Sequence, residues 1–125
     1  MFGVDVRFEP PPPALWRWGL PEQEAVPLAL IINELGTNAI KYSASRDAGI
    51  AVRLASRPEG IELHIENTGQ LKEGFDLARI ASSVSGLGLI KALLPRRGAR
   101  LWIEQRGNVV LTRLELSPPA IGEDL

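Results

Sequence analysis

The sequence feature that most constrains the fold is an amphipathic helix that we expect to end near Tyr42. At about 100° per residue, four apolar side chains fall on one stripe that should be buried: Leu28, Ile32, Leu35 and Ala39. Glu34, Asn38 and Lys41 follow at i, i+4 and i+7 on a narrow arc beside that stripe. Helix stability does not explain Asn33 and Asn38, because an asparagine amide competes for backbone groups. Such an arc could hold a hydrated magnesium ion and the phosphates that it bridges, while a solvated polar face is the alternative.

Length and composition indicate one ordinary globular domain. The 125 residues suit a single core, which we expect in residues 1–117, followed by a flexible tail at 118–125. The net charge of -1, with no basic run longer than Arg96-Arg97, argues against nucleic acid or an anionic membrane as partner. No apolar run approaches the roughly 20 residues that span a bilayer, and the N-terminus lacks the layout of a signal peptide. The absence of cysteine excludes disulfides and thiolate metal sites. We expect a cytoplasmic domain that is monomeric in isolation.

Alternating apolar residues predict five β-strands, near residues 4–8, 50–54, 61–65, 101–105 and 109–116. The long helix should begin at about residue 21 or 22, or as late as Val26 if Pro27 must lie in its first turn. A second helix is expected from Leu87 to Leu94, after a loop at 69–85 with one helical turn near 75–80. This order predicts an α+β fold, a two-layer α/β sandwich in which helices cover one face of an about five-stranded, mixed and mainly antiparallel sheet.

Three short motifs, in this order, resemble those of one superfamily. Asn33-Glu34-x-x-x-Asn38-Ala39-x-Lys41-Tyr42 resembles the N box of the Bergerat-fold (GHKL) ATPases, which include the sensor histidine kinases. Asn67-Thr68-Gly69 resembles the first glycine box, and Ser85-Gly86-Leu87-Gly88-Leu89 resembles the second. Thr112 lies in a predicted strand, where the superfamily often has a threonine. The resemblance extends over about residues 20 to 116, and it implies the Bergerat ATP-binding fold.

The resemblance also implies roles for individual residues, with ATP and Mg²⁺ as the cofactors. Glu34 would be the catalytic residue that orients or activates the attacking group, and Asn38 would ligate magnesium. Asn33 and Lys41 would contact the phosphates. The other nucleotide-binding residues would be Tyr42, Asn67, Gly69, Gly86, Leu87, Gly88, Leu89 and Thr112.

Strand parity identifies Asn67 as the residue in the position of the superfamily's adenine-binding aspartate. Asn67 shares the parity of Leu63 and Ile65, whereas Glu66 points to the other face. An amide can accept from adenine N6 and donate to N1, so adenine recognition remains possible with a neutral group. Leu71 stands where the box's second glycine would be and could narrow the pocket. The alternative is a base pocket that has decayed.

Gly86 and Gly88 precede a helix, where glycine backbone and free N–H groups can approach phosphate oxygens. His64, the only histidine, should lie on the outward face of its strand, so it is not expected to be a phosphoacceptor.

We therefore expect the ATP-binding catalytic domain of a sensor-histidine-kinase-like transferase in two-component signalling. Its partners would be the nucleotide and a phosphoacceptor domain or partner protein, whose histidine is absent from this chain. Two alternatives remain: an anti-sigma-factor-type serine kinase acting in trans, and a degenerate, non-catalytic interaction module of the same fold.

Overall fold

The structure is a computed structural model that describes residues 6–9, 17–41, 43, 49–82 and 86–123. Two of the predicted motif residues, Tyr42 and Ser85, lie outside the described residues. The elements, in chain order, are β1 Val6–Phe8, β2 Trp18–Gly19, α1 Glu22–Lys41, β3 Ile50–Arg57, β4 Gly60–Thr68, α2 Gly86–Leu93, β5 Ala99–Arg106, β6 Val109–Leu116 and β7 Gly122–Glu123.

The main sheet has five strands in the order β1-β3-β4-β6-β5. β1 runs parallel to β3, and the other three pairings are antiparallel. The two hairpins, β3–β4 and β5–β6, are those that the sequence predicts. The predicted mixed, mainly antiparallel sheet is confirmed.

One face of this sheet carries the core. Leu63 and Ile65 of β4 and Leu114 of β6 are buried together with Ile90 of α2 and the apolar stripe of α1. Successive side chains of a strand point to opposite faces, so these residues mark a single face of the sheet. Both helices lie on that face, and the predicted two-layer arrangement is confirmed.

Helix α1 is rotated slightly from the predicted orientation. Its buried residues are Leu28, Ile31, Leu35 and Ala39, whereas Ile32 is 45% exposed, so the assignment of Ile32 to the buried stripe was wrong. Ile31 lies on the side of the stripe nearer to Asn38, and the rotation therefore turns Asn38 toward the sheet. The helix begins at Glu22, the earlier of the two predicted starts, with Pro27 in its second turn.

The C-terminal segment differs from the predicted flexible tail. Ala120 and Ile121 are each only 2% exposed and belong to the core. Residues Gly122–Glu123 form β7, which pairs antiparallel with β2. Burial of two apolar side chains and a strand pairing hold residues 120–123 on the domain, so the tail assignment was wrong there. No helix among the described residues is long and apolar enough to cross a membrane.

Candidate functional site

A small cavity lies between α1, α2 and the inner face of the sheet. Its polar lining consists of Asn38 from α1, Asn67 from β4 and Thr112 from β6. Its volume is about 20 Å³, which is room for roughly one water molecule. The apolar lining includes Leu35, Leu71, Phe75, Leu87, Ile103 and Val110.

Two amide groups in this cavity lack hydrogen-bond partners. The Nδ2 atoms of Asn38 and Asn67 are both buried, and neither has a partner in the described part of the chain. A buried N–H group without an acceptor costs about 1–3 kcal/mol, so native proteins rarely leave one unpaired. Two such donors in one cavity fit a ligand that offers acceptor atoms.

Strand register brings Asn67 to this position. Asn67 lies opposite Ile50 of β3 and Val110 of β6 on the inner face, and it is 2% exposed. Glu66, its neighbour in the chain, is exposed on the other face. The predicted inward position of Asn67 and outward position of Glu66 are confirmed.

The predicted site residues divide into two groups. Asn38, Asn67, Leu87 and Thr112 line the cavity together. The remainder of those in the described ranges lie outside its lining: Asn33, Glu34, Lys41, Gly69, Gly86, Gly88 and Leu89.

The residues outside the lining lie on α1, on α2 and just after the end of β4, and Asn33 is about 140° around α1 from Asn38, on the side away from the cavity. Glu34 is half-buried on α1, one turn before Asn38, while Asn33 and Lys41 are exposed. Gly86 begins α2 with a φ of 60°, a backbone conformation that favours glycine. No cluster of three His, Cys, Asp or Glu side chains suited to a metal ion occurs within the described ranges. The residues present fit a magnesium ion held mainly through phosphate oxygens, with one or two protein ligands such as Asn38.

Leu71 and Phe75 belong to a segment, residues 69–80, that covers the cavity. Gln105 holds its start: the Leu71 N–H donates to Gln105 Oε1 at 2.7 Å, and Gln105 Nε2 donates to the Gly69 carbonyl at 2.9 Å. Lys91 of α2 holds its end, donating from Nζ to the carbonyls of Leu77 at 3.1 Å and Ala78 at 3.2 Å. The covering segment is thus fastened to β5 and to α2.

Gln105 and Lys91 were not among the site residues predicted from the sequence. One signal for Gln105 was available, because it shares the inward parity of Leu101 and Ile103 in β5, where a polar side chain needs a partner. No comparable signal existed for Lys91, whose acceptors are backbone carbonyls 13 and 14 residues away.

His64 lies on the opposite face of the sheet from the cavity, as predicted. Its side chain is 15% exposed, less than expected for a surface residue, and its Nε2 lies 3.1 Å from Glu62 Oε2. Burial raises the pKa of Glu62, but hydrogen bonds with His64 and Glu115 and the charge of Arg57 outweigh it, so the pKa is lowered.

Comparisons with known proteins identify the architecture. The sequence matches no family model and no curated protein. Among solved structures, the catalytic domain of the histidine kinase ThkA aligns with a TM-score of 0.71 and 19% identity, over 93% of this chain and 81% of that one. The mycobacterial sensor histidine kinase MprB aligns with a TM-score of 0.66 and 18% identity, over 92% of this chain and 82% of that one. The blue-light activated histidine kinase EL346 of Erythrobacter litoralis aligns with a TM-score of 0.64 and 19% identity, over 91% of this chain and 34% of that one.

The chain therefore has the fold of histidine kinase catalytic domains, consistent with the Bergerat architecture that the three motifs predict. It spans about a third of the length of the blue-light activated kinase. At identities of 18–19%, the similarity establishes the fold alone.

Proposed function

We propose that this chain is an ATP-binding catalytic domain of the sensor-histidine-kinase type, which presents ATP to a phosphoacceptor outside the chain. The observation that carries the proposal is the pair of unpartnered amides of Asn38 and Asn67 in one cavity of this fold. A purine ring offers acceptor nitrogens to buried N–H donors, and the apolar lining suits its faces.

The base would enter between Asn67 and the covering segment. Asn67 would accept from adenine N6 and donate to N1, while Thr112, on the neighbouring strand, offers a hydroxyl. A purine is far larger than a 20 Å³ cavity, so Leu71 and Phe75 must move away for it to bind. Gly69 and the backbone N–H of Leu71, both bonded to Gln105, would remain in place while the side chains of Leu71 and Phe75 move.

The phosphates would extend from the base toward the ends of both helices. Lys41, at the end of α1, would contact them, with Tyr42 beside it in the sequence, whereas Asn33 lies in the middle of α1 on the side away from the cavity and would not. On α2, the free N–H groups of its first turn, at Gly86, Leu87, Gly88 and Leu89, would donate to phosphate oxygens.

Asn38 would supply an amide oxygen to magnesium, and the bound ion would neutralise phosphate charge during transfer. Glu34, half-buried on the same arc of α1, would orient the attacking group or accept its proton. These residues position the reactants, which is the main requirement of phosphoryl transfer.

The acceptor histidine would lie outside these 125 residues. His64 is the only histidine here, and its position on the outer face, paired with Glu62, supports a separate acceptor. We also propose that the domain acts in the cytoplasm, where ATP and its signalling partners are found.

A second candidate, a non-catalytic interaction module, is favoured by one observation. The cavity is nearly filled by Leu71 and Phe75, and Leu71 replaces the glycine that this position has in the superfamily. If the covering segment never opens, the domain binds no nucleotide and only its surface remains functional.

Calorimetry of ATP binding with magnesium separates the two candidates. We expect saturable binding that Asn38→Ala abolishes or weakens at least about tenfold, with the circular dichroism spectrum unchanged. Asn108→Ala is the matched control, because Asn108 is exposed in the β5–β6 turn and contributes only its backbone carbonyl to Gly69. Absence of binding at millimolar ATP would refute the catalytic proposal, and equal binding by both variants would refute the role of Asn38.

A further inference from the structure

Four arginines from three separate parts of the chain converge at the end of the sheet far from Asn67. Arg57 ends β3, Arg96 and Arg97 follow α2, and Arg100 lies in β5. They line one concave cavity of about 520 Å³. Gly60, also in its wall, is seven residues along β4 from Asn67, or roughly 23 Å at 3.3 Å per residue. This cavity is separate from the proposed nucleotide site.

Most of the positive charge in this cavity is unpaired. Arg57 is bonded to Glu115 at 2.7 Å and to Glu62 at 3.2 Å. Arg96, Arg97 and Arg100 form no ion pair with any carboxylate in the described ranges. Four arginines and two glutamates line the cavity, so its walls carry an excess of two positive charges.

The wall of the cavity is formed by closely packed backbone. A Cβ atom at Gly60 would collide with the carbonyl oxygen of Leu116, and one at Gly98 would collide with that of Ser117. Gly98 has a φ of 80°, and its carbonyl accepts the N–H of Ser117 at 2.8 Å. The arginines therefore extend from a wall that has little freedom to collapse inward.

We propose that this cavity binds a phosphate group. A guanidinium presents several N–H donors in a plane and pairs with phosphate through two parallel hydrogen bonds. A dianionic phosphate matches the excess of two positive charges. Its oxygens are arranged tetrahedrally and can accept from arginines on several sides, whereas the two oxygens of a carboxylate lie in one plane. The volume lies within the range of small-molecule sites. The phosphate can come from a free anion or from a phosphorylated side chain.

The test is a titration of the chain with inorganic pyrophosphate in metal-free buffer, followed by amide chemical shifts. We expect saturable binding, with shifts confined to residues around 57–60 and 96–100. A parallel titration uses a phosphoserine peptide and its unphosphorylated form. Saturation by pyrophosphate alone identifies a free anion as the source, and saturation by the phosphopeptide identifies a modified side chain; either supports the proposal.

Matched variants separate a site from general charge attraction. The double variant Arg96→Ala/Arg100→Ala should weaken binding by tenfold or more. The control Arg53→Ala/Arg106→Ala removes the same charge from two exposed positions outside the cavity and should change affinity less than twofold. Equal weakening by both double variants, or the absence of saturable binding, overturns the proposal. Loss of pyrophosphate binding in Asn38→Ala would also overturn it, because the anion would then occupy the nucleotide site; unchanged binding in that variant leaves this site standing even if the proposed ATP function fails.

Discussion

Replacing Leu71 with alanine should lower the stability of the domain and raise its affinity for ATP. Leu71 is half-buried over the cavity and must leave it when a base enters. Leu→Ala removes three carbons, worth about 0.8 kcal/mol for each CH₂ when fully buried, so a half-buried position loses about 1 kcal/mol. The free energy of unfolding of the unliganded domain falls by that amount. The free energy needed to open the cavity falls by the same amount.

The expected gain in affinity follows from the fraction of molecules that are open. Apparent affinity scales with the population of the binding-competent state, and about 1 kcal/mol corresponds to roughly a fivefold change. Urea unfolding measures the loss of stability, and calorimetry with ATP and magnesium measures the gain in affinity.

Leu77→Ala is the matched control. Leu77 is a half-buried leucine in the same covering segment, but it does not line the cavity. It should lose similar stability without gaining affinity. If Leu71→Ala instead binds ATP more weakly, Leu71 is a wall of the site and does not obstruct it.

Three further predictions concern single contacts. Asn67→Ala should weaken ATP binding by about 1–3 kcal/mol, and Asn67→Asp should keep or tighten it and discriminate more sharply against GTP, as calorimetry with both nucleotides will show. Lys91→Met removes the donor to the carbonyls of Leu77 and Ala78, so amide hydrogen exchange in the covering segment should accelerate; unchanged exchange would contradict the fastening role. Because the pKa of Glu62 is lowered below 4.5, its carboxylate stabilises the fold above that pH, and the stabilisation is lost as pH falls through the folded-state pKa. Urea unfolding should therefore find Glu62→Gln less stable than the parent near pH 7, with the difference shrinking below pH 4.5.

The sequence predicted the features that depend on local periodicity. Period-two alternation placed Asn67 on the inner face and Glu66 on the outer one, and turn residues marked both hairpins of the main sheet. It failed where packing between distant segments decides the outcome. The rotation that buries Ile31 and exposes Ile32 depends on how α1 meets the sheet, and periodicity allows either orientation. Burial of Ile121 depends on the pairing of β7 with β2, two strands of only two residues each.

The positions of the two asparagines in the candidate site could be predicted from the sequence. The contacts that hold the covering segment over the cavity could not. The motif resemblance pointed to Asn38 and Asn67, and helix and strand periodicity, which requires only their neighbours in the chain, predicted the faces on which they lie. The fastening of the covering segment requires Gln105 and Lys91 to meet backbone groups of residues far away in sequence. Every residue carries a backbone carbonyl, so residue types do not show which carbonyls accept a hydrogen bond. These contacts could therefore be identified only from the structure.

For the proposed nucleotide, the unpartnered amides would set the balance between the closed cavity and the bound state. Each buried N–H without an acceptor costs about 1–3 kcal/mol, so Asn38 and Asn67 oppose closure by an amount similar to what the apolar contacts of Leu71 and Phe75 contribute. A nucleotide that offers a base nitrogen to the Asn67 amide and a phosphate oxygen to the Asn38 amide removes the first cost, so its binding must overcome only the apolar contribution. Asn67→Ala should therefore stabilise the unliganded domain against urea while weakening ATP binding. Loss of both stability and affinity would mean that the Asn67 amide is satisfied in the unliganded state, and that the cavity is not held in this balance.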